Sequence, residues 1–233
     1  GAAGAKGDTG AKGDTGAAGT NGTNGDTGDT GAAGTNGTNG TNGTNGTNGA
    51  ITNSQIKNIC GPNGTTACAV GEQGPGGGIV FMTPSTAGNT SGLFYEAAPS
   101  TWSSQSGDPT SVWCNNSDTL LGVAPTVTGT GAMDGANKAA VMLGVCTSGA
   151  ANLADAYTAT VSGVVYGDWF LPSNGELNQM YVQLGVIGGF ASAYYWSSSE
   201  VAANFAWVQF FGNGFQTNTN KTVTNYVRPV RAF

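Results

Sequence analysis

A triple-helical stalk followed by an α+β globular head, assembled as a homotrimer, is the architecture that the sequence predicts. Three observations carry this prediction. Glycine occupies every third position from Gly1 to Gly49 and no other position in that stretch. After Cys60, aliphatic and aromatic runs alternate with turn residues, as in a folded domain. The chain has four cysteines and no histidine. We therefore predict a stalk over 1–49, a neck or linker over 50–70 and a head over 71–233.

The strict phase of the glycines distinguishes a stalk from a flexible linker. A flexible linker needs glycine content but not a fixed period. A collagen triple helix needs the period, because only a hydrogen atom fits at the axis where three chains meet. The stretch contains no proline, so the triple helix lacks the stabilisation that proline gives by restricting the unfolded chain. We expect a collagen-like stalk whose three chains are kept in register by the head.

Composition excludes several classes of function. The chain has 13 acidic and 7 basic residues, a net charge of −6, whereas nucleic acids and anionic membranes attract clustered Lys and Arg. No apolar run approaches the roughly 18 residues of a membrane span. Without histidine, Ser-His-Asp and Cys-His catalysis are impossible, and the commonest transition-metal ligand is missing. Composition therefore argues against enzyme activity and predicts no cofactor, no metal site, no nucleic-acid partner and no membrane span.

The cysteines predict two disulfides. Cys60, Cys68, Cys114 and Cys146 have no CxxC spacing and no histidine to complete a zinc site. An even number of cysteines in such a chain fits an oxidising compartment. Three pairings are possible, and we favour Cys60–Cys68 with Cys114–Cys146. This predicts an extracellular protein, placed on a cell surface or on a virion-attached fibre.

Local patterns predict the elements of the head. Ile51, Ile56 and Ile59 form either an apolar plug between three chains or a strand or loop that leads into the head. Residues 76–83 read as a buried strand bounded by glycine and proline, with 92–99 as its hairpin partner. Strand-like runs follow at 193–199 and 204–211, and a Gly-Asn-Gly turn at 212–214 precedes the last polar segment.

Two helices are predicted between these strands. The first has apolar residues at helical spacing and ends at Gly144; these residues are Ala136, Ala139, Ala140 and Leu143. The second begins with a capping box formed by Ser173 and Glu176 and is expected to close at Gly185. Its predicted apolar face consists of Leu177, Met180, Tyr181 and Leu184.

Several segments of the head carry a family resemblance. They are GDWFLPSNGEL (167–177), YYWSSSE (194–200), AWVQFFGNG (206–214) and NYVRPVRAF (225–233). Over roughly 71–233 the chain resembles the C-terminal domain of Lcl-type collagen-like adhesins, a domain that also occurs in phage and bacterial surface fibres. The resemblance implies a C-type lectin-like fold and an extracellular recognition head that need not use calcium.

The candidate binding face lies in the last polar segment. It is rich in amides and hydroxyls, which exchange hydrogen bonds, and it includes an aromatic ring that could stack on a sugar. The candidate ligand-binding residues are Asn204, Gln209, Asn213, Phe215, Gln216, Asn218, Asn220, Lys221 and Asn225. The alternative is a loop that is polar only for solubility.

Other prominent side chains are assigned to the scaffold: Trp169 and Trp196 to the core, and Arg228 and Arg231 to ion pairs with Asp168, Glu200 or the C-terminal carboxylate.

Three classes of function remain open at this point. The first is a trimeric adhesin or phage tail-fibre tip that binds a cell-surface glycan or protein receptor. The second is a structural subunit that assembles end to end or laterally into a filament. The third is an enzyme, because the lectin-like fold also houses the formylglycine-generating oxidase. That enzyme uses a cysteine pair in its C-terminal part, whereas the last cysteine here is Cys146. We therefore favour binding over catalysis.

Overall fold

The computed structural model of the protein describes residues 57–123 and 133–233. Ten short strands and four helices occur in these ranges. In chain order they are β1 (Ile79–Met82), β2 (Tyr95–Ala97), β3 (Thr110–Ser111), α1 (Gly135–Leu143), α2 (Ala150–Asp155), β4 (Ala159–Val161), β5 (Val164–Tyr166), α3 (Asn174–Val182), α4 (Leu184–Ile187), β6 (Tyr194–Ala202), β7 (Phe205–Phe210), β8 (Gln216–Asn220), β9 (Asn225–Tyr226) and β10 (Val230–Ala232). The mixture of sheets and helices agrees with the predicted α+β class.

Two sheets make up the framework. The predicted hairpin is confirmed: β1 and β2 pair antiparallel, and the C-terminal strand β10 pairs antiparallel with the other edge of β2. The second sheet has five strands in the order β3-β9-β6-β7-β8. Its β6, β7 and β8 form an antiparallel meander, and β9 joins β6 in parallel. Within the described residues, β8 therefore forms one edge of this sheet.

Helix α3 begins as predicted. Ser173 accepts a hydrogen bond from the Glu176 backbone, and the Glu176 carboxylate accepts one in return, from the Ser173 backbone at 2.7 Å. The predicted end at Gly185 is wrong. The helix ends at Val182, and Gly185 lies within the short α4. Gly188, with φ +69°, follows α4, because a glycine tolerates the left-handed backbone that this change of direction requires.

Helix α1 also lies where the sequence predicts, but with a different buried face. Ala136 and Ala140 are exposed, whereas Lys138 and Met142 are buried. Lys138 is accommodated because its ammonium group reaches Asp134 at 2.8 Å, which leaves its aliphatic stem against the core. The elements that were not predicted include β3, α2, α4 and the β4–β5 hairpin, which forms a separate two-stranded sheet.

The core of the described region consists of aromatic and aliphatic side chains from both sheets and the helices. Trp113, Trp169 and Trp196 are its largest members. The prediction that Trp169 and Trp196 are core residues is confirmed. Each indole N–H donates to a backbone carbonyl, at Tyr166 for Trp169 and at Ser111 for Trp196. The rings therefore remove apolar surface from water without leaving a buried donor unpaired.

Both predicted disulfides are present, Cys60–Cys68 and Cys114–Cys146. The first closes a loop that packs with Val80, Phe94 and Phe233 in a small cluster of its own. Residues 57–70, the described part of the predicted neck, are thereby attached to β1 and to the C-terminus. The stalk, with Ile51 and Ile56, lies outside the described residues.

Buried ion pairs hold the C-terminal segment. Arg228 and Asp108 are fully buried, and Asp108 also accepts hydrogen bonds from the side chains of Trp102 and Tyr195. Arg231 bonds Glu96 at 2.9 Å and also Asp168, as predicted. The alternative partner Glu200 pairs with Lys221 instead. Both arginines thus have structural roles.

Two features are absent from the described ranges, 57–123 and 133–233. None of the helices there is long and apolar enough to cross a bilayer. No group of three or more His, Cys, Asp or Glu side chains is gathered there in a way that could hold a metal ion.

Candidate functional site

Strand β8 divides the predicted binding residues between two faces of the sheet. Its register with β7 sets Trp207 opposite Asn218 and Gln209 opposite Gln216. Alternate residues of a strand point to opposite faces, and directly paired residues share a face. Gln209, Gln216, Asn218 and Asn220 therefore lie on one face, here called the amide face. Thr217 and Thr219 lie on the other face, opposite Val208 and Ala206.

The amide face turns towards the start of α3. The Gln209 side chain is fully buried and donates to the Asn178 side chain at 3.0 Å and to the Gly214 carbonyl at 3.1 Å. Gln216 donates to the Asn174 carbonyl at 3.1 Å and to the Asn174 side chain at 3.0 Å. These amides connect β7 and β8 to the first turn of the helix. Their hydrogen-bonding groups are engaged within the protein.

Two other predicted residues act in turns. The Asn213 side chain accepts a hydrogen bond from the Phe215 backbone at 3.0 Å. The Asn220 side chain accepts from the backbone and the hydroxyl of Thr222, at 3.0 and 2.8 Å. Such local bonds stabilise turns, which is a common reason for Asn at these positions. The density of amides in this segment thus partly reflects how the chain turns.

The candidate role of Lys221 in ligand binding needs correction. Its side chain has no exposed surface, and its ammonium group bonds Glu200 at 2.8 Å, the Ala203 carbonyl at 2.7 Å and the Thr119 carbonyl at 3.0 Å. It also lies 4.5 Å from the centre of the Trp113 ring. A buried charge needs this full set of partners because it has lost its hydration. Lys221 is a core residue and presents no charge at the surface.

The predicted ligand-binding role of Gln209 needs the same correction, because its side chain is buried and hydrogen-bonded within the protein. Of the other predicted residues, Asn213, Phe215 and Asn218 are exposed, with 58% of Phe215 accessible. Asn204 is half-buried, and its carbonyl accepts from the Lys221 backbone. Asn225 is buried except for 8% of its surface. The predicted set does not form one continuous binding surface.

A cavity of about 330 Å³ opens next to the threonine face of β8. It is called the Asn225 pocket here and is lined by Tyr194, Val208, Thr217, Asn218, Thr219, Val223 and Asn225. No lining residue carries a charge. The Tyr194 ring rests on Phe210, with ring centres 5.0 Å apart. The pocket thus combines hydroxyl and amide groups with one supported aromatic ring and two valines.

One residue of this pocket, Asn225, has a side-chain polar atom without a partner. The Asn225 side-chain nitrogen is buried and makes no hydrogen bond within the described structure. An unpaired buried amide group costs free energy, about 1–3 kcal/mol, unless a partner is supplied. Cavities of about 200, 290 and 330 Å³ elsewhere in the described region have no such group among their lining residues.

Most of the pocket residues were not predicted from the sequence. Thr217, Thr219 and Val208 could have been found from the hairpin register, because the turn at 212–214 fixes which β7 and β8 residues are opposite. Tyr194 lies in the predicted run 193–199 and pairs with Phe210 of β7, so it could have been found in the same way. Val223 had no such signal, because it lies in the connection between β8 and β9.

The comparisons with known proteins concern the N-terminal part of the chain. Residues 1–55 match the model of the collagen triple helix repeat. The prediction of collagen-type repeats is therefore confirmed, and such repeats are typical of fibrous extracellular proteins. No curated protein matches the chain.

Proposed function

We propose that this protein is a trimeric extracellular fibre in which a collagen-like stalk presents a receptor-binding head. The observation that carries the proposal is the unbroken glycine phase from Gly1 to Gly49, next to a folded domain with an uncharged polar pocket. The phase is a requirement of three chains that share an axis. Two disulfides in the head support a location outside the reducing cytosol. Cell surface and virion-attached fibre are both compatible with this proposal.

The Asn225 pocket is the proposed binding site. Its hydroxyl and amide groups can exchange hydrogen bonds with an uncharged glycan or with the polar groups of a protein loop. The Tyr194 ring can support the apolar side of a sugar. The resemblance of the head to lectin-like domains supports a glycan as the first class to test. The proposal includes no catalytic step.

Three copies of the head on one stalk would compensate for weak single contacts. Linked sites convert later binding events into intramolecular ones, so the overall affinity can exceed that of one site by about 10²–10⁴. Because the pocket has no charge, binding should also depend little on salt. A heparin-type interaction would instead weaken steeply as salt is raised.

The binding test compares a pocket variant with a matched surface variant. Thr217→Val combined with Asn225→Leu removes polar groups from the pocket while nearly preserving volume. Thr160→Val makes the same change at an exposed position of β4. We expect the pocket variant to lose binding on a glycan array and in whole-cell adhesion, with the control unchanged. Wild-type binding by a folded, trimeric pocket variant would place the binding site elsewhere.

The trimer is tested independently of binding. Wild-type protein should have a trimeric mass and a collagen-type circular dichroism signal that melts cooperatively. Gly25→Ala should lower the melting temperature, because a methyl group does not fit at the axis. Ala17→Ser, which changes a position that points away from the axis, is the control. A monomeric wild type without the collagen signal would refute the stalk.

A filament subunit is the second candidate, and one observation favours it. Strand β8 is an edge of its sheet, and its QTNTN sequence has none of the charges or prolines that usually protect edges from pairing. Two heads could pair along such strands. Electron microscopy of native particles separates the two candidates, since separate stalked heads support a receptor-binding fibre and continuous filaments support the subunit role.

A further inference from the structure

The β4–β5 hairpin carries apolar side chains that the head leaves uncovered. Its residues pair as Ala159 with Tyr166 and Val161 with Val164. These pairs therefore share one face of the ribbon. Val164 is 53% exposed at the end near the turn. At the other end, Tyr166 is held by the head, because its ring lies 4.7 Å from the Arg231 guanidinium and its carbonyl accepts from Trp169.

The first described residues continue this apolar face. Ile59 is 42% exposed, and together with Val161, Val164 and Tyr166 it lines a cavity of about 290 Å³. The rest of the lining is glycine, proline, serine and asparagine, so the cavity has no charged wall. This set of four residues is called the Ile59–Val164 surface here. An isolated two-stranded ribbon is only marginally stable in water, and a covering partner would stabilise it.

We propose that the Ile59–Val164 surface binds a second copy of this chain, so that three heads pack against one another in the trimer. The inference rests on the proposed trimer and adds the surface through which the heads meet. The length of the connecting chain identifies the partner. Gly49, the last glycine in phase, precedes Lys57 by eight residues, which span at most about 28 Å.

Ile59 is ten residues from Gly49, so three chains that share an axis at Gly49 keep their Ile59 residues within about 35 Å of that axis. A tether this short raises the local concentration of each head around the others to the millimolar range. At such a concentration even a small apolar surface is repeatedly presented to its copies. No foreign partner is held in place in this way.

The absence of charge in the cavity lining fits the symmetry. In a threefold assembly every residue occurs three times around the axis, so a single charge near it would face two others of the same sign. Like charges that are close together are destabilising. The uncharged lining avoids this repulsion. Contact between heads would also keep a stalk without proline in register, because assembled heads hold the three chain ends together.

The test uses the full chain and follows refolding of the stalk. The stalk is melted at a temperature at which the tryptophan signal shows the heads still folded, and its return on cooling is recorded at several protein concentrations. If heads remain associated, refolding of wild type is intramolecular, and its half-time is independent of concentration. Ile59→Thr with Val164→Thr should separate the heads, so its half-time should lengthen with dilution and its stalk should melt at a lower temperature. Val182→Thr, at a position 60% exposed on α3, is the control and should behave as wild type.

The outcomes separate this inference from the proposed function. A wild type whose refolding slows with dilution as much as the double variant would overturn the head contact while leaving the trimer intact. A monomeric wild type without a collagen signal would overturn the trimer itself. Hydrogen exchange gives a second measurement: amides of 159–166 should exchange more slowly in associated heads than in the double variant. Equal exchange in the two proteins would also contradict the contact.

Discussion

The two faces of strand β8 carry uncharged polar side chains of similar chemistry, yet they differ in what those side chains contact. On the amide face, Gln209 and Gln216 bond to each other and to the start of α3. On the threonine face, Thr217 and Thr219 border an open cavity beside an amide that has no partner. Residue type therefore does not separate the face that is bonded internally from the face that borders a cavity. The partners of the polar groups do.

The difference in hydrogen-bond partners between the two faces shows that a polar sequence segment cannot be assigned to ligand binding from its composition alone. A segment with many amides resembles a binding loop in composition, but each internal hydrogen bond removes a group from recognition. Here three of the candidates from composition, Gln209, Gln216 and Lys221, are engaged in hydrogen bonds within the fold. The pocket on the other face consists of threonine, valine and tyrosine as well as asparagine. The predictions below test whether the two faces differ as described.

The largest effect is expected at the end of β8, where Lys221 meets Glu200. Lys221→Ala leaves the Glu200 carboxylate buried without its charge partner, which should cost about 3–5 kcal/mol of unfolding free energy in urea titration. Lys138→Ala is the comparison, because its partner Asp134 is partly exposed and can be hydrated. The loss of unfolding free energy in Lys138→Ala should be clearly smaller than in Lys221→Ala. Equal losses in the two variants would show that burial of the Lys221 pair has no special importance.

Titration of Glu176, in the first turn of α3, should make the head less stable as pH rises. Burial raises the pKa of Glu176 to about 7, although hydrogen bonds from the Ser173 and Gly135 backbones oppose the rise. The folded state then holds this proton more tightly than the unfolded state, whose Glu pKa is near 4.5. Stability from this group is therefore complete below pH about 4.5 and is lost as pH rises to about 7. The difference is on the order of 3 kcal/mol.

Thermal melting between pH 4.5 and 8 measures this effect, with Glu176→Gln as the variant that does not titrate. The variant should be less stable at low pH and should have a flatter pH profile. A residual slope of the same sign is expected, because burial also raises the pKa of Glu96. A wild-type head that gains stability from pH 4.5 to 7 would contradict the role assigned to Glu176.

A moderate effect is expected within the amide face. Gln216→Ala removes the donor to Asn174 and should lower the unfolding free energy by about 1–2 kcal/mol. Asn218→Ala, two residues further along β8, changes an exposed side chain, and its unfolding free energy should stay within about 0.5 kcal/mol of wild type. The pair can be measured by chemical denaturation under one set of conditions. If both substitutions cost equally little, the amide face is not a structural network.

The smallest stability effect is expected in the pocket. Asn225→Leu replaces an amide that has an unpaired buried nitrogen with an apolar group of similar size. Removing an unsatisfied polar group can be neutral or stabilising, so we expect a change of less than about 1 kcal/mol. Differential scanning calorimetry of wild type and variant measures it. A loss well above this value would mean that the Asn225 amide has an internal structural role and is not available to a ligand.

Local signals in the sequence determined a good part of this protein. The phase of the glycines predicted the collagen-type repeats, because sterics at a shared axis act on every third residue. The capping box at Ser173 and Glu176 and the β1–β2 hairpin were also readable, since their partners are close in sequence. Four cysteines allow three disulfide pairings, and the favoured one is present.

Only the tertiary structure decided the site. Lys221 is buried because Glu200, Trp113 and two carbonyls converge on it from distant parts of the chain, and composition cannot show that. The end of α3 at Val182 was likewise missed, because the positive φ is at Gly188 and not at the earlier glycine. The pocket requires β6, β7, β8 and β9 to be adjacent. Sequence specifies which groups can form hydrogen bonds, whereas the packing of distant strands determines which groups are left without a partner.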